Sequence, residues 1–317
     1  TTGAENTASG VYALEDNTTG SSLTSFGAYA LRDNTTAIEN SAFGKSSLML
    51  NTTGAGNTAV GKDALRANTT ASNNTAIGLD ALTANTTSPN NVAIGFEALD
   101  AQTTGAGYNV AVGWKAMTSN TSGTENTAAG WNALGVNTTG SYNTAFGGGA
   151  LDANTTASNS TAIGFGSLTS STTGTGNTAV GVTAGDAITT GSYNVAIGRE
   201  ALGACIGGTG NTAVGNDAGS STTTGDYNIS IGYNAQPTAV GADGECTLGD
   251  SSISTLRCND TSISALSDQR DKTDIVNSPY GLDFINTIQP RQFKWETREG
   301  NAKDGKTRVG FIAQELL

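Results

Sequence analysis

NTAVG at 57–61, NTAIG at 74–78 and NVAIG at 91–95 are one short phrase met three times at an even spacing. Its glycine sets a ruler that runs from Gly10 through Gly27, Gly44, Gly61 and Gly78 to Gly95, then from Gly113 to Gly232, in steps of 17 with a single step of 18. The extra residue falls within 104–108, between two copies of the phrase, where a repeat architecture absorbs insertions. A full unit reads xxALxxNTTxxxNTA(V/I)G, with Val60, Ile77, Ile94 and Val112 before the glycine and Leu65, Leu82 and Leu99 four residues after it. Seventeen residues are too few for a helix pair but enough for two short strands and two turns, so each unit reads as one coil of an all-β solenoid. The strands are expected in NTAVG and in NTT. Alternation along the first predicts Thr58 and Val60 pointing inward and Asn57 and Ala59 outward, and the exchange of Thr for near-isosteric Val in NVAIG (91–95), NVAVG (109–113) and NVAIG (194–198) supports a packed site. Stacked at about 4.8 Å, 14 or 15 coils make a rod on the order of 70 Å long. Asn in register can bond along such a stack, and Gly supplies the backbone angles of the corners. One aliphatic, one Leu and one or two Thr per coil is a meagre core, and the Ala ladder (Ala59, Ala76, Ala93, Ala111) is flat enough to pack against identical neighbours. This predicts a parallel homotrimer.

NTAIG and NVAIG, each opening a coil, resemble the NSVAIG-type repeats of trimeric autotransporter adhesin heads. The resemblance spans roughly residues 4 to 235 and implies a left-handed parallel β-roll. The period departs from that family, being longer than those heads typically use, which implies longer loops and a receptor surface that does not transfer.

Composition narrows the chemistry. The chain has 317 residues, 43 of them Gly, only 13% charged residues, and no His. A Ser/His/Asp triad, a Cys/His dyad and a histidine metal site are all excluded. Residues 1–266 hold 7 Lys+Arg against 19 Asp+Glu, whereas 267–317 hold 8 of each, so the whole net charge of −12 sits in the first part, and nucleic acid is not expected as a partner. Cys205, Cys246 and Cys258 are too few for a disulfide framework, with Cys246 and Cys258 the one candidate pair. No apolar run approaches the roughly 18 residues of a membrane span, and Thr1 opens neither a basic segment nor an apolar signal core, as expected for a soluble chain, without membrane insertion, cut from a longer one.

After Gly241 the periodicity decays. CTLGDSSISTLRCNDTSISAL (246–266) still alternates Ile and Leu with Ser and Thr but lacks the NTA phrase. The expected division is a β-roll repeat domain at 1–235, a neck or irregular last coils at 236–266, and a different, small α+β domain at 267–317. In that last part Ser278 and Pro279 read as a cap and first helical residue ahead of Leu282, Ile285 and Ile288, while RQFKW (291–295) and RVGFIA (308–313) read as strands.

SDQRDKTDI (267–275), LDFINTIQPRQFKW (282–295) and RVGFIAQE (308–315), in that order, resemble the endosialidase-type intramolecular chaperone found at the end of phage tail fibres and tailspikes. In that family the domain trimerises the fibre and then cuts itself off. The resemblance implies Ser267 and Lys272 as the catalytic pair and Leu266–Ser267 as the cleaved bond. Asp268, Arg270 and Asp274 read instead as salt-bridge or subunit contacts. A serine hydroxyl needs a base, and a lysine whose pKa burial lowers can serve without histidine. The structural alternative is that Ser267 caps a helix and Lys272 is a solvated charge. The family domain normally continues beyond the AQE phrase, so the resemblance also implies a truncated domain here.

Three further patterns stand out. Phe96, Trp114 and Trp131 each follow the repeat glycine in consecutive coils and are expected to stack as an aromatic strip, suited either to sugar rings or to packing against a neighbouring chain. Tyr108, Tyr142, Tyr193 and Tyr227 precede the repeat Asn and mark one edge. The Thr pairs of NTT, such as Thr52 and Thr53, form a ladder like those of ice-binding β-solenoids, with one Thr of each pair expected to face inward; the same triplets match the glycosylation sequon, which the repeat generates without need of sugar. Asp63, Asp80, Asp100 and Asp152 lack calcium-loop spacing, and no converging carboxylate pair of a glycosidase is visible, so no metal, cofactor or substrate turnover is expected beyond self-cleavage. The reading is a trimeric phage tail fibre of the virion that attaches to a host cell-surface receptor, a glycan among the candidates. The alternatives are a bacterial surface adhesin or extracellular filament, and an ice-binding solenoid.

Overall fold

The computed structural model describes residues 2–255, 291–294 and 307–310. They divide into two units, residues 1–255 and 256–317. In the first, fifteen three-residue strands, β1 (Thr7–Ser9) to β15 (Cys246–Leu248), form one parallel sheet in strict chain order. Pairing is residue for residue: Thr58, Ala59 and Val60 of β4 lie against Thr75, Ala76 and Ile77 of β5. The all-β parallel solenoid anticipated from the period is therefore present, with one coil for each repeat unit and no helix among the described residues. The sheet continues past residue 235: β14 (Ile229–Ile231) pairs with β15.

The strand faces are the reverse of the expectation. Ala42, Ala59, Ala76 and Ala93 are fully buried, whereas Val60, Ile77 and Ile94 are more than a third exposed and Thr58 is half-buried. The reason is the width of the coil. The strand faces Leu48, Leu65 and Leu82 across a lumen already filled by those side chains and by Ala64 and Ala81, all at 0% exposure, so that a methyl is the largest group the strand can point inward. The β-branched side chains take the outer face, and the Thr/Val exchange occupies a half-exposed column rather than a core site. Hence the Ala ladder is not available to a neighbouring chain.

NTT is also not a second strand. Asn51, Thr52 and Thr53 form a bend in which the amides of Thr52 and Thr53 both donate to the Thr69 carbonyl, at 2.9 and 3.1 Å, and the Thr52 hydroxyl donates to the same oxygen at 3.0 Å. Neither Thr faces inward; Thr52 is half-buried and Thr53 exposed. Coil-to-coil bonding nonetheless runs round the circumference: Thr58 N donates to Asn74 O at 2.9 Å and Leu65 N to Ala81 O at 3.0 Å. Those bonds hold Leu65 and Leu82 at φ of 51° and 53°, a left-handed conformation that costs a β- or γ-branched residue about 1–2 kcal/mol unless the surroundings enforce it.

Asparagine completes the interior with two ladders. At the strand entry, Asn57 Oδ1 accepts from the Asn74 amide at 2.9 Å and its Nδ2 donates to Ala71 O at 2.9 Å. At the bend, Asn68 Nδ2 donates to Asn51 Oδ1 at 2.7 Å and to Ala71 O at 3.0 Å. Buried amides thereby satisfy the carbonyls of the corners, which a thin coil cannot turn toward water. Gly61 marks the remaining corner: its φ is 135°, and a Cβ there would lie 2.3 Å from the Gly78 carbonyl oxygen, so both conformation and space demand glycine.

The one longer coil, between β6 (Val92–Ile94) and β7 (Val110–Val112), keeps register because Gln102 replaces the bend Asn. Its longer side chain bridges Ser88 Oγ, Thr104 O and the Asn120 amide. In the second unit the segments read as strands pair antiparallel, β16 (Arg291–Lys294) with β17 (Thr307–Gly310). The helix expected after Pro279 lies outside the described residues.

Candidate functional site

Interior columns repeat; the corner after the glycine does not. Residues one, two and five places beyond it are mostly half-buried or exposed along the stack, and there the sequence varies from coil to coil. Phe96 and Trp114 occupy the first column in adjacent coils and stack as expected, with centroids 6.5 Å apart and planes within 13°. Trp114 is 51% exposed, and Lys115 Nζ lies 4.9 Å from its ring centroid while pairing with Glu97 at 3.2 Å.

Trp131 departs from the expected run. Its ring pairs with Phe165 at 6.2 Å and 53° rather than with Trp114. The coil between carries Gly148 in this column, and the indole fills the vacant place, its Nε1 2.2 Å from where a Gly148 Cβ would stand. The strip is thus two pairs, Phe96 with Trp114 and Trp131 with Phe165. Phe165 was legible in principle, since it also follows a repeat glycine. Tyr108, Tyr142, Tyr193 and Tyr227 are all exposed in one column at left-handed φ.

The acidic residues share this corner. Burial raises the carboxyl of Asp100 above its ordinary range, helped by Glu97 and Asp80; burial likewise raises Asp152, against a hydrogen bond from Asn132. No group of three metal-ligating side chains is assembled among the described residues. Between Tyr29 and Arg66 lies a groove of about 470 Å³ lined by Arg32, Lys45, Lys62 and Arg66, a cationic cluster that the charge count of the whole repeat region conceals. Cys205 is fully buried, and its thiol is pushed up to about 11 by burial; Cys246 is exposed and has no disulfide partner among the described residues. Cys258, with the bridge to it, lies outside the described residues, as do Leu266, Ser267 and Lys272.

Residues 267–317 match the model of the Peptidase S74 family, chaperone of endosialidase. No curated protein and no solved structure matches the chain. A parallel β-solenoid followed by a segment that matches the chaperone-of-endosialidase model is the organisation that any function has to use. No helix among the described residues is long and apolar enough to cross a membrane.

Proposed function

We propose that the chain is a segment of a phage tail fibre, a homotrimeric attachment protein matured by self-cleavage between Leu266 and Ser267. The observation that carries this reading is the match of 267–317 to the chaperone family directly after a fibrous repeat, beginning at the serine on the C-terminal side of the proposed cut. In the cleavage, the Ser267 hydroxyl attacks the Leu266 carbonyl carbon while a neutral Lys272 amine accepts its proton. The proton passes to the departing Ser267 nitrogen, and water then hydrolyses the ester to free the Leu266 carboxylate. The trimer contact falls on the outer strand face rather than on the Ala ladder. Val60, Ile77, Ile94 and Val112 form an exposed aliphatic run in one column, which Phe26, Phe43 and Phe146 extend, an apolar surface of a kind that soluble monomers rarely display. The aromatic pairs remain free to meet a receptor, and their flat faces suit sugar rings.

The test is the intact mass of the denatured chain, expressed with its natural continuation, beside a Ser267→Ala variant. The wild type is expected to end at Leu266 and the variant to stay whole. If both stay whole, Ser267 and Lys272 are structural, and a surface adhesin or filament that uses the same end without maturation becomes the better reading.

A further inference from the structure

The repeat region is acidic almost everywhere, yet four of the six Lys and Arg side chains in residues 1–235, Arg32, Lys45, Lys62 and Arg66, line one groove over three successive coils. They do not cancel against local carboxylates. Arg32 pairs with Asp33, and Asp63 is shared between Lys62 at 3.1 Å and Arg66 at 3.9 Å, which leaves two positive charges in surplus. Lys45 has no carboxylate partner among the described residues, and Lys45, Lys62 and Arg66 are exposed. The same corner farther along carries Asp80, Glu97 and Asp100 instead, so the cationic block is local.

An aromatic platform adjoins the cations. Tyr29 lines the groove, stacks on Tyr12 at 5.3 Å, and has the Arg32 guanidinium 6.0 Å from its ring centroid. Lys45 and Lys62 occupy one column in consecutive coils and so repeat at the coil spacing of about 4.8 Å, close to the advance of one pyranose in an extended chain. A linear ligand lying along the stack would set charges on successive residues against successive cations and one ring against Tyr29. Nucleic acid fits less well, because the groove lining offers the single ring of Tyr29 where successive bases would need a row of stacking platforms.

We propose that this groove binds an acidic polysaccharide, its carboxylates or phosphates held by Arg32, Lys45, Lys62 and Arg66 and a sugar ring resting on Tyr29. This rests on the attachment reading and gives the receptor a charge. The probes are polygalacturonate, neutral dextran and polyglutamate of similar length, with a single-stranded DNA oligomer, each titrated against the full chain at low salt. Polygalacturonate is expected to bind at least tenfold more tightly than the other three. The double variant Lys45→Glu/Lys62→Glu, both changes on exposed side chains, is expected to weaken it at least tenfold with an unchanged unfolding midpoint. Tyr29→Asn, chosen because Asn tolerates the left-handed φ of 62° there, is expected to weaken polygalacturonate several-fold and leave any residual polyglutamate binding unaltered. No polygalacturonate binding, equal binding of polyglutamate or DNA, or indifference to the double variant would overturn the groove. Chain cleavage at Leu266 is read separately by mass, so failure here is distinct from failure of the fibre reading.

Discussion

The inside of each coil and the corner beyond its glycine are built from the same repeat unit and follow opposite rules. Inside, Ala59, Leu65, Asn57 and Asn68 recur because a narrow lumen admits only those shapes, and each Asn needs its counterpart one coil away to complete its hydrogen bonds. At the corner the backbone bonds to the next coil whatever the side chain is, and side-chain contacts such as Lys115 with Glu97 are local rather than repeated, so Lys45, Lys62, Leu79, Phe96 and Trp114 succeed one another in a single column. Repetition thus marks what the fold consumes, and its failure marks what is left for recognition. The interior also shows what a broken ladder costs. Where Ser171 replaces Asn, its hydroxyl is too short to reach a partner, and Asn154 Oδ1, which would accept from an Asn at 171, is left without one.

The largest effect that could break this contrast is at the glycine. Gly78→Ala places a Cβ 2.3 Å from the Gly95 carbonyl at a φ of 140°, and is expected to cost about 3 kcal/mol or more, while Thr53→Ala on the exposed bend stays within about 0.5 kcal/mol. Urea midpoints compare the two; equal midpoints would remove the distinction between column types.

A subtler effect is expected where two interior columns change together. Gly185 stands in the Leu column and Ile188 in the bend Asn column, and a Cβ on Gly185 would lie 3.0 Å from Ile188 Cδ1, so the isoleucine fills the space the leucine vacates. Ile188→Asn alone is expected to lose about 2–4 kcal/mol, and Gly185→Leu alone to lose stability through overpacking. Combined, they restore the ordinary packing of Leu beside the bend, although Ser171 and Cys205 leave an Asn at 188 without an Asn partner in either adjacent coil, so the favourable coupling of about 1–3 kcal/mol in a double-mutant cycle comes from the shared volume alone. Additive losses would mean that the two columns do not share one volume.

The smallest effect is chemical. Cys205 is inside and Cys246 outside, so at pH 8 peptide mapping after brief alkylation should find Cys246 modified and Cys205 intact until denaturant is added. Because the folded thiol titrates near 11 while an unfolded one does so near 8.5–9, the unfolded chain loses its proton first. Stability contributed by Cys205 is therefore whole below pH 8.5 and falls between about pH 9 and 11. Rapid labelling of native Cys205 would show that this part of the stack opens.

Period, glycine ruler and Asn register were legible in the chain, because each follows from counting and from backbone sterics. The aromatic column was legible too, but only as a column: that Trp131 leans across Gly148 to Phe165 depends on a missing side chain one coil away. Strand facing was not legible. Alternation tells which residues share a side but not which side is inside, and the larger, more apolar set is the natural choice for the core. Here that choice fails because Leu65 and its equivalents enter from the opposite wall and fill the lumen first.

The cationic groove escaped for a related reason. Arg32, Lys45, Lys62 and Arg66 are scattered through two full repeats of an acidic chain, and only the stacking of one coil on the next lays them side by side. The linear order of residues was enough to establish a repeating β-coil, because its constraints are local and recur. The faces, the fillings and the neighbours across coils were settled by three-dimensional packing, since each depends on how much volume residues from other walls and other coils have already taken.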